Sequence, residues 1–418
     1  MAKTKTRNDC VFICIDCGRQ YDLRPDIIYL CPTCSAGNQA DTPPRGVLKT
    51  IYDYGRIKRS IADFSDLKQT GFSALLPISD PGNLPALRIG QTPMYSCSQL
   101  DGEPLPYHLH IKDDSQNPTF SYKDRASGLV SAFAREMGYD TIVAASTGNA
   151  GSSLAGICAA QRQHAVILVP AGAPAAKISQ IMLYGAHLIP VKGTYDQAFE
   201  LSIQLSHEFN WYNRNTAYNP LTIEGKKTAA WEIFEQMGNR PIDRIYVPVG
   251  DGVILSGIYK GFEDLLALDI IQQMPVIVAV QSEKSDNLVR NMAGTGFHAR
   301  SSCTIADSIS VDVPRNFHMA KWYLLRYGGE WVSVSDTDIL SAASVMARNT
   351  GVFAEPAAAA AFAGLLHHHR KGLIGEKTHQ VVLSTGSGLK DIRALEKHLH
   401  IPDAVEPDTG SIQKVLFG

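Results

Sequence analysis

Apolar positions along this chain fall into two kinds of stretch. Residues 141–145, 165–169, 187–191, 244–248, 276–281 and 379–384 are short, nearly continuous apolar runs. Runs of that length read as strands buried on both faces. Between them, residues 149–160, 177–184, 195–209, 254–266, 336–350 and 357–368 space apolar residues three and four apart, which predicts helices. A further helix follows residue 123, where Gly128, Leu129, Val130 and Phe133 carry the helical period. Strand and helix alternate, so the pattern predicts an α/β fold with parallel sheets covered on both faces. No short repeat and no low-complexity tract interrupts it.

Composition narrows the picture. The chain has 418 residues, 44% of them hydrophobic and 19% charged, enough for two to three globular domains. Its 39 basic and 41 acidic residues leave a formal charge of -2, which gives no argument for a nucleic-acid or anionic-membrane partner. No apolar run is long enough to span a bilayer. Residues 1–7 are basic but lead into no apolar segment with a cleavage site, so no secretory signal is expected. The expected location is the cytoplasm, where thiols stay reduced.

The cysteines are then read as metal ligands and small core residues. Cys14 and Cys17, then Cys31 and Cys34, form two knuckles of identical Cys-x-x-Cys spacing. Two such knuckles can set four thiolates around one zinc ion. Residues 19–23 between them suit a short hairpin arm. A structural zinc ribbon over residues 1–45 is expected, folded by its metal. The run Thr42-Pro43-Pro44-Arg45-Gly46 is a plausible boundary. Cys97, Cys158 and Cys303 read as core residues, and His367, His368 and His369 as a solvated helix end.

Four places carry candidate chemistry. Lys123 stands at the start of a helix, after the turn signal Asn117-Pro118, with Thr119 or Ser121 as a helix cap. A lysine at a rigid loop-helix junction can form a Schiff base if burial lowers its pKa; otherwise it is a surface lysine beside Asp124. Ser146-Thr147-Gly148-Asn149 follows a strand and opens a helix, suiting an anion at the helix N-terminus. Gly250-Asp251-Gly252-Val253 sits in the same context and suits a phosphate, although Asp251 is an awkward neighbour for one. Thr385, after the last strand, could offer a hydroxyl to a ring nitrogen at the edge where α/β sheets gather ligands.

These segments together resemble fold type II pyridoxal phosphate enzymes of the threonine synthase family. The resemblance runs from about residue 85 to 395 and rests on six segments in order: 117–125, 146–149, Ile223-Glu224-Gly225-Lys226-Lys227-Thr228, 248–252, Ala354-Glu355-Pro356-Ala357 and 385–390. It implies two parallel-sheet α/β domains: a large one over 46–125 and 220–418 that holds pyridoxal 5'-phosphate, and a smaller mobile one over 126–219. By the same resemblance, Lys123 would carry the cofactor and shuttle a proton, and Asn149 would hold its phenolic oxygen. Gly250, Asp251, Gly252 and Val253 would bind its phosphate, and Thr385 its pyridine nitrogen. Ser146 and Thr147 would bind the substrate carboxylate.

The implied activity is a lyase that eliminates phosphate from O-phosphohomoserine and adds water to give threonine. The alternative is β-elimination or β-replacement on serine, threonine or diaminopropionate. The chain departs from the family pattern at Phe120 (usually glycine), Ala150 (often threonine), Thr222 (an arginine that helps bind the substrate phosphate) and Ser387 (histidine). The expected partner is a small amino-acid substrate, and a homodimer is the expected assembly.

Overall fold

The computed structural model describes residues 10–417 apart from 24–27, 174, 239, 295, 397–398 and 400. The basic N-terminal stretch lies outside them. Strands β1 (Cys10–Cys14), β2 (Gln20–Asp22) and β3 (Leu48–Tyr52) form an antiparallel sheet in the order β2-β1-β3. The hairpin arm therefore forms. The ribbon's sheet, however, runs past the expected boundary. At Gly46 the chain takes φ 82°, where a side chain would be strained, and its N–H bonds to Asp16 at 2.7 Å. That turn sends residues 48–52 back along β1. Phe12, Leu48 and Tyr52 are buried in the same apolar cluster as Tyr122 and Trp231 of the main body.

The remaining strands are β4 (Met94–Leu100), β5 (Glu103–Asp113), β6 (Thr141–Ala145), β7 (His164–Pro170), β8 (His187–Val191), β9 (Tyr212–Asn213), β10 (Arg244–Pro248), β11 (Val276–Ser282), β12 (Glu330–Val334) and β13 (His379–Ser384). One sheet has the order β12-β11-β10-β13-β5-β4, parallel except at β4. The other is all parallel, in the order β8-β7-β6-β9. The parallel α/β character is the one expected from the pattern, and the two sheets are those the family resemblance implies.

Edge strand β4 escapes a search for apolar runs because it is mostly solvent-facing. The turn that joins it to β5 is Asp101-Gly102, with φ 49° and 89°, both positive, as a tight hairpin needs. The histidine tract needs correcting. His368 points into the core, where its Nδ1 lies 3.1 Å from the Tyr246 hydroxyl, while His369 is exposed. Only one residue in three or four on a helix shares a face, so neighbours diverge. Of the three cysteines assigned to the core, Cys158 is buried, Cys97 half-buried and Cys303 exposed.

Candidate active site

The strand ends of the two sheets face one cavity. Lys123 opens the helix Lys123–Glu136 and lies on the cavity wall with Asn149, the loop 250–253, Glu355 and Thr385. Neither Thr119 nor Ser121 caps this helix. The roles are reversed: Asp124, in the first turn, accepts hydrogen bonds from the Thr119 N–H at 2.7 Å and from the Thr119 hydroxyl. Asp124 is therefore committed to the preceding loop and does not neutralise Lys123. Arg125 anchors the same turn. It donates to Asp114 at 2.6 and 2.9 Å and to Glu232 at 2.7 and 2.8 Å, all buried or nearly so. Such bidentate pairs fix geometry well. Burial pushes the Lys123 amine below the usual lysine range; the Arg214 charge adds to this, and Asp251 and Glu355 oppose it.

The loop after β13 is clamped to this turn. Ser387 N–H donates to Phe120 O at 3.1 Å, Tyr122 N–H to Thr385 O at 2.9 Å, and Glu355 N–H to Gly386 O at 3.0 Å. The lysine segment, Thr385 and Glu355 are thus tied together through their backbones. Phe120 has φ 69°, the left-handed region that glycine occupies without cost, and its ring is 48% exposed.

Asn149 opens the helix Asn149–Gln161. Its amide donates to both oxygens of Glu355, at 2.8 and 3.1 Å, and approaches the Ser308 hydroxyl at 3.4 Å. Burial raises the Glu355 carboxyl to about 7, partly countered by Asn149. Ser146 and Thr147 precede Asn149 but do not line the cavity; the Ser146 hydroxyl accepts the Gly148 N–H at 3.3 Å.

The loop 250–253 leads into the helix Val253–Ala267. Gly252 has φ 88°, and a Cβ there would come within 2.9 Å of Ala320 Cβ. The awkward Asp251 is accounted for: its carboxylate accepts the Arg315 N–H at 3.1 Å. Two neighbouring lysines in opposite states, Lys226 and Lys227, stand at the C-terminal end of the helix Leu221–Lys226. Lys227 Nζ meets Glu224 at 2.5 Å and Asp264 at 2.8 Å. Lys226 Nζ is fully buried and has no partner among the described residues. Burial, then the charges of Lys123 and Arg214, push it well below the usual lysine range.

A phosphorylated cofactor carrying an aldehyde fits this cavity. Lys123, on the cavity wall, can take the carbonyl carbon, and the loop amides at a helix N-terminus suit a phosphate dianion, with Lys226 nearby, its Nζ without a partner among the described residues. Thr216, Lys226 and Ser308 were not singled out in the sequence as site residues. Ser308 lies in a one-turn 3-10 helix, Asp307–Ile309, that no strand-to-helix pattern marks.

In the ribbon, the Sγ atoms of Cys14, Cys17, Cys31 and Cys34 all lie within 4.8 Å of one another. Cys17 and Cys31 Sγ are 3.8 Å apart. A zinc tetrahedron with Zn–S bonds of about 2.3 Å has an edge of about 3.8 Å. Cys10, upstream, is buried on β1 and outside this group.

Residues 86–386 match the family described as pyridoxal-phosphate dependent enzyme, and the chain belongs to that family. Within it, the chain sits among the threonine synthases. It is 34% identical to the threonine synthase of Methanocaldococcus jannaschii over 96% of this chain and 98% of that one. It is 33% identical to the threonine synthase of Methanosarcina acetivorans, over 97% and 98%. Among solved structures, the fold is shared with an L-serine ammonia-lyase from the fungus Rhizomucor miehei (TM-score 0.64, 21% identity, 74% of this chain and 97% of that one). It is also shared with maize serine racemase (TM-score 0.62, 22% identity, 74% and 94%). Among the described residues, no helix is long and apolar enough to cross a membrane.

Proposed function

We propose that this protein is a threonine synthase, a lyase that eliminates phosphate from O-phosphohomoserine and adds water to form threonine. The observation that carries the reading is the likeness to the Methanocaldococcus jannaschii enzyme along nearly its whole length. When bound, pyridoxal phosphate supplies an electron sink that stabilises negative charge beside the substrate's α carbon. The chain's own residues do the rest. Lys123 holds the cofactor and, once released by substrate, moves protons; burial lowers its pKa, which favours the free amine over the ammonium. Asn149 orients the ring through its phenolic oxygen while remaining bonded to Glu355. The amides of 250–253 hold the phosphate. The Thr385 hydroxyl meets the ring nitrogen without charging it, which favours eliminations beyond the α carbon. Ser146 and Thr147 take the substrate carboxylate as residues 126–219 close on the large domain, formed by 46–125 and 220–418, and exclude water.

We further propose that Cys14, Cys17, Cys31 and Cys34 bind a structural zinc ion, that the protein works in the cytoplasm, and that it is a homodimer.

A second reading, β-elimination from serine or threonine, has one observation in its favour. Thr222 stands where the family has its phosphate-binding arginine, and it is buried with its hydroxyl donating to Asn219 O at 2.7 Å. The test is an assay of the cofactor-loaded protein on O-phosphohomoserine, O-phosphoserine, serine and threonine in parallel. Phosphate and threonine from the first support the proposal; silence there, with keto acid from another, supports the second reading.

A further inference from the structure

If Thr222 does not read the substrate's anionic group, another residue must. Arg214, at the end of β9, is fully buried. Its Nε donates to Ser127 Oγ at 3.1 Å and its Nη1 to Thr216 Oγ1 at 2.6 Å. Its Nη2 has no partner, and no carboxylate forms an ion pair with it among the described residues. A buried guanidinium left uncompensated is costly. The fold meets this cost at Arg125 with two carboxylates and at Lys227 with two more. At Arg214 it does not. Burial lowers its pKa only to about 10, so it stays charged at neutral pH.

Thr216 lines the cavity and is half-buried. Its hydroxyl oxygen accepts from the guanidinium, so its own proton is left to donate. A hydroxyl polarised in this way is a stronger donor than a free one. Lys226, whose Nζ also has no partner among the described residues, lies near the phosphate loop: its Cβ lies against Gly257 in the helix that follows that loop. The cavity thus has one unpaired amine behind the cofactor's phosphate loop and an unpaired guanidinium cation behind Thr216.

We propose that Thr216, charged from behind by Arg214, is the donor that reads the phosphate ester of the substrate, in the role the family gives to an arginine at position 222. This rests on the threonine synthase reading for the identity of the substrate. The anion-binding claim does not. Arg214 touches no substrate in this account; it is a positioning and polarising residue, and Thr216 is the binding residue.

The test uses the cofactor-loaded protein and inorganic phosphate as probe, followed by the change in the cofactor's visible absorbance, alongside KM and kcat. Arg214→Gln and Thr216→Val should each weaken inorganic phosphate binding and raise the KM for O-phosphohomoserine by about 10- to 100-fold. The double variant should be no worse than the weaker single variant, because the two residues act as a unit. Thr216→Ser should restore binding, and the binding of serine, read by the same change in absorbance, should not move. Unchanged phosphate binding in Arg214→Gln overturns the proposal, even if the parent makes threonine. Equal losses for serine and O-phosphohomoserine also overturn it and leave Arg214 a packing role. If Arg214→Gln fails to retain cofactor, the Thr216→Val and Thr216→Ser pair decides alone. If the parent releases no phosphate from O-phosphohomoserine yet binds inorganic phosphate through Thr216 and Arg214, the anion seat stands and the threonine synthase reading falls.

Discussion

The Asn149 amide donates to both oxygens of Glu355, at 2.8 and 3.1 Å, joining the helix after β6 to the segment that packs against the Thr385 loop. This contact ties the smaller sheet to the larger one at the cavity and gives the protein a pH-dependent joint. Glu355 rises from an ordinary value of 4.5 to about 7 in the folded protein, chiefly through burial. The folded state therefore holds its proton more tightly than the unfolded state. Stability from this group is fully present below about pH 4.5, is lost as pH rises to about 7, and is flat above; the whole span is worth roughly 3 kcal/mol. The cofactor-free protein should lose melting temperature between pH 5 and 7.5, and Glu355→Gln should flatten that slope. Equal slopes in both would refute the assignment.

Lys123→Ala should abolish both turnover and the visible absorbance of the cofactor-loaded protein. It should not unfold the chain. The amine is held below its usual pKa by burial, so the folded state gains nothing from it. The melting temperature of cofactor-free Lys123→Ala should equal or exceed the parent's, a common cost of functional residues. Retained turnover would remove Lys123 from the mechanism.

Phe120 holds a left-handed backbone at φ 69° with nearly half its ring in solvent. Phe120→Gly should relieve about 1 kcal/mol of strain and lose about as much to the freer unfolded chain. Denaturant melts should place the two proteins within about 1 kcal/mol of each other. A loss above about 2 kcal/mol would mean the ring packs in a way its exposure does not suggest.

The ribbon reaches the substrate side through Tyr29. Its hydroxyl accepts the Asn213 N–H at 2.9 Å, and its ring stacks on Tyr218 at 4.7 Å. Those residues flank Arg214. Cys31→Ser, or removal of zinc by a chelator, should leave the main body folded, because Phe12, Leu48 and Tyr52 are buried in its core. It should weaken O-phosphohomoserine binding several-fold while cofactor affinity changes less. Metal analysis that finds no zinc in the parent would end this part of the account.

Local motifs were legible in the sequence; electrostatic isolation was not. The strands β6, β10 and β13 announce themselves as apolar runs, and Asn149, the 250–253 loop and Thr385 stand at their ends, where α/β sheets place ligands; Lys123 follows β5. Nothing in Glu224-Gly225-Lys226-Lys227 distinguishes its two lysines. The turn of the helix sends Lys227 to Glu224 and Asp264 and leaves Lys226 alone, and Asp264 is far away in sequence. Arg214 escaped notice for the same reason: what marks it is the lack of a carboxylate in three dimensions. Glu355 stood out in the sequence only as part of the segment 354–357; its hold on Asn149 appears only when two sheets meet.

The central claim is the reaction itself. The most direct measurement runs O-phosphohomoserine with the cofactor-loaded protein in oxygen-18 water and counts products. The account predicts one phosphate per threonine, with the label in the threonine hydroxyl, because the leaving group departs from the γ carbon and water adds at the β carbon. Phosphate released alongside a keto acid in place of threonine, or no phosphate while serine or threonine is consumed, would contradict it.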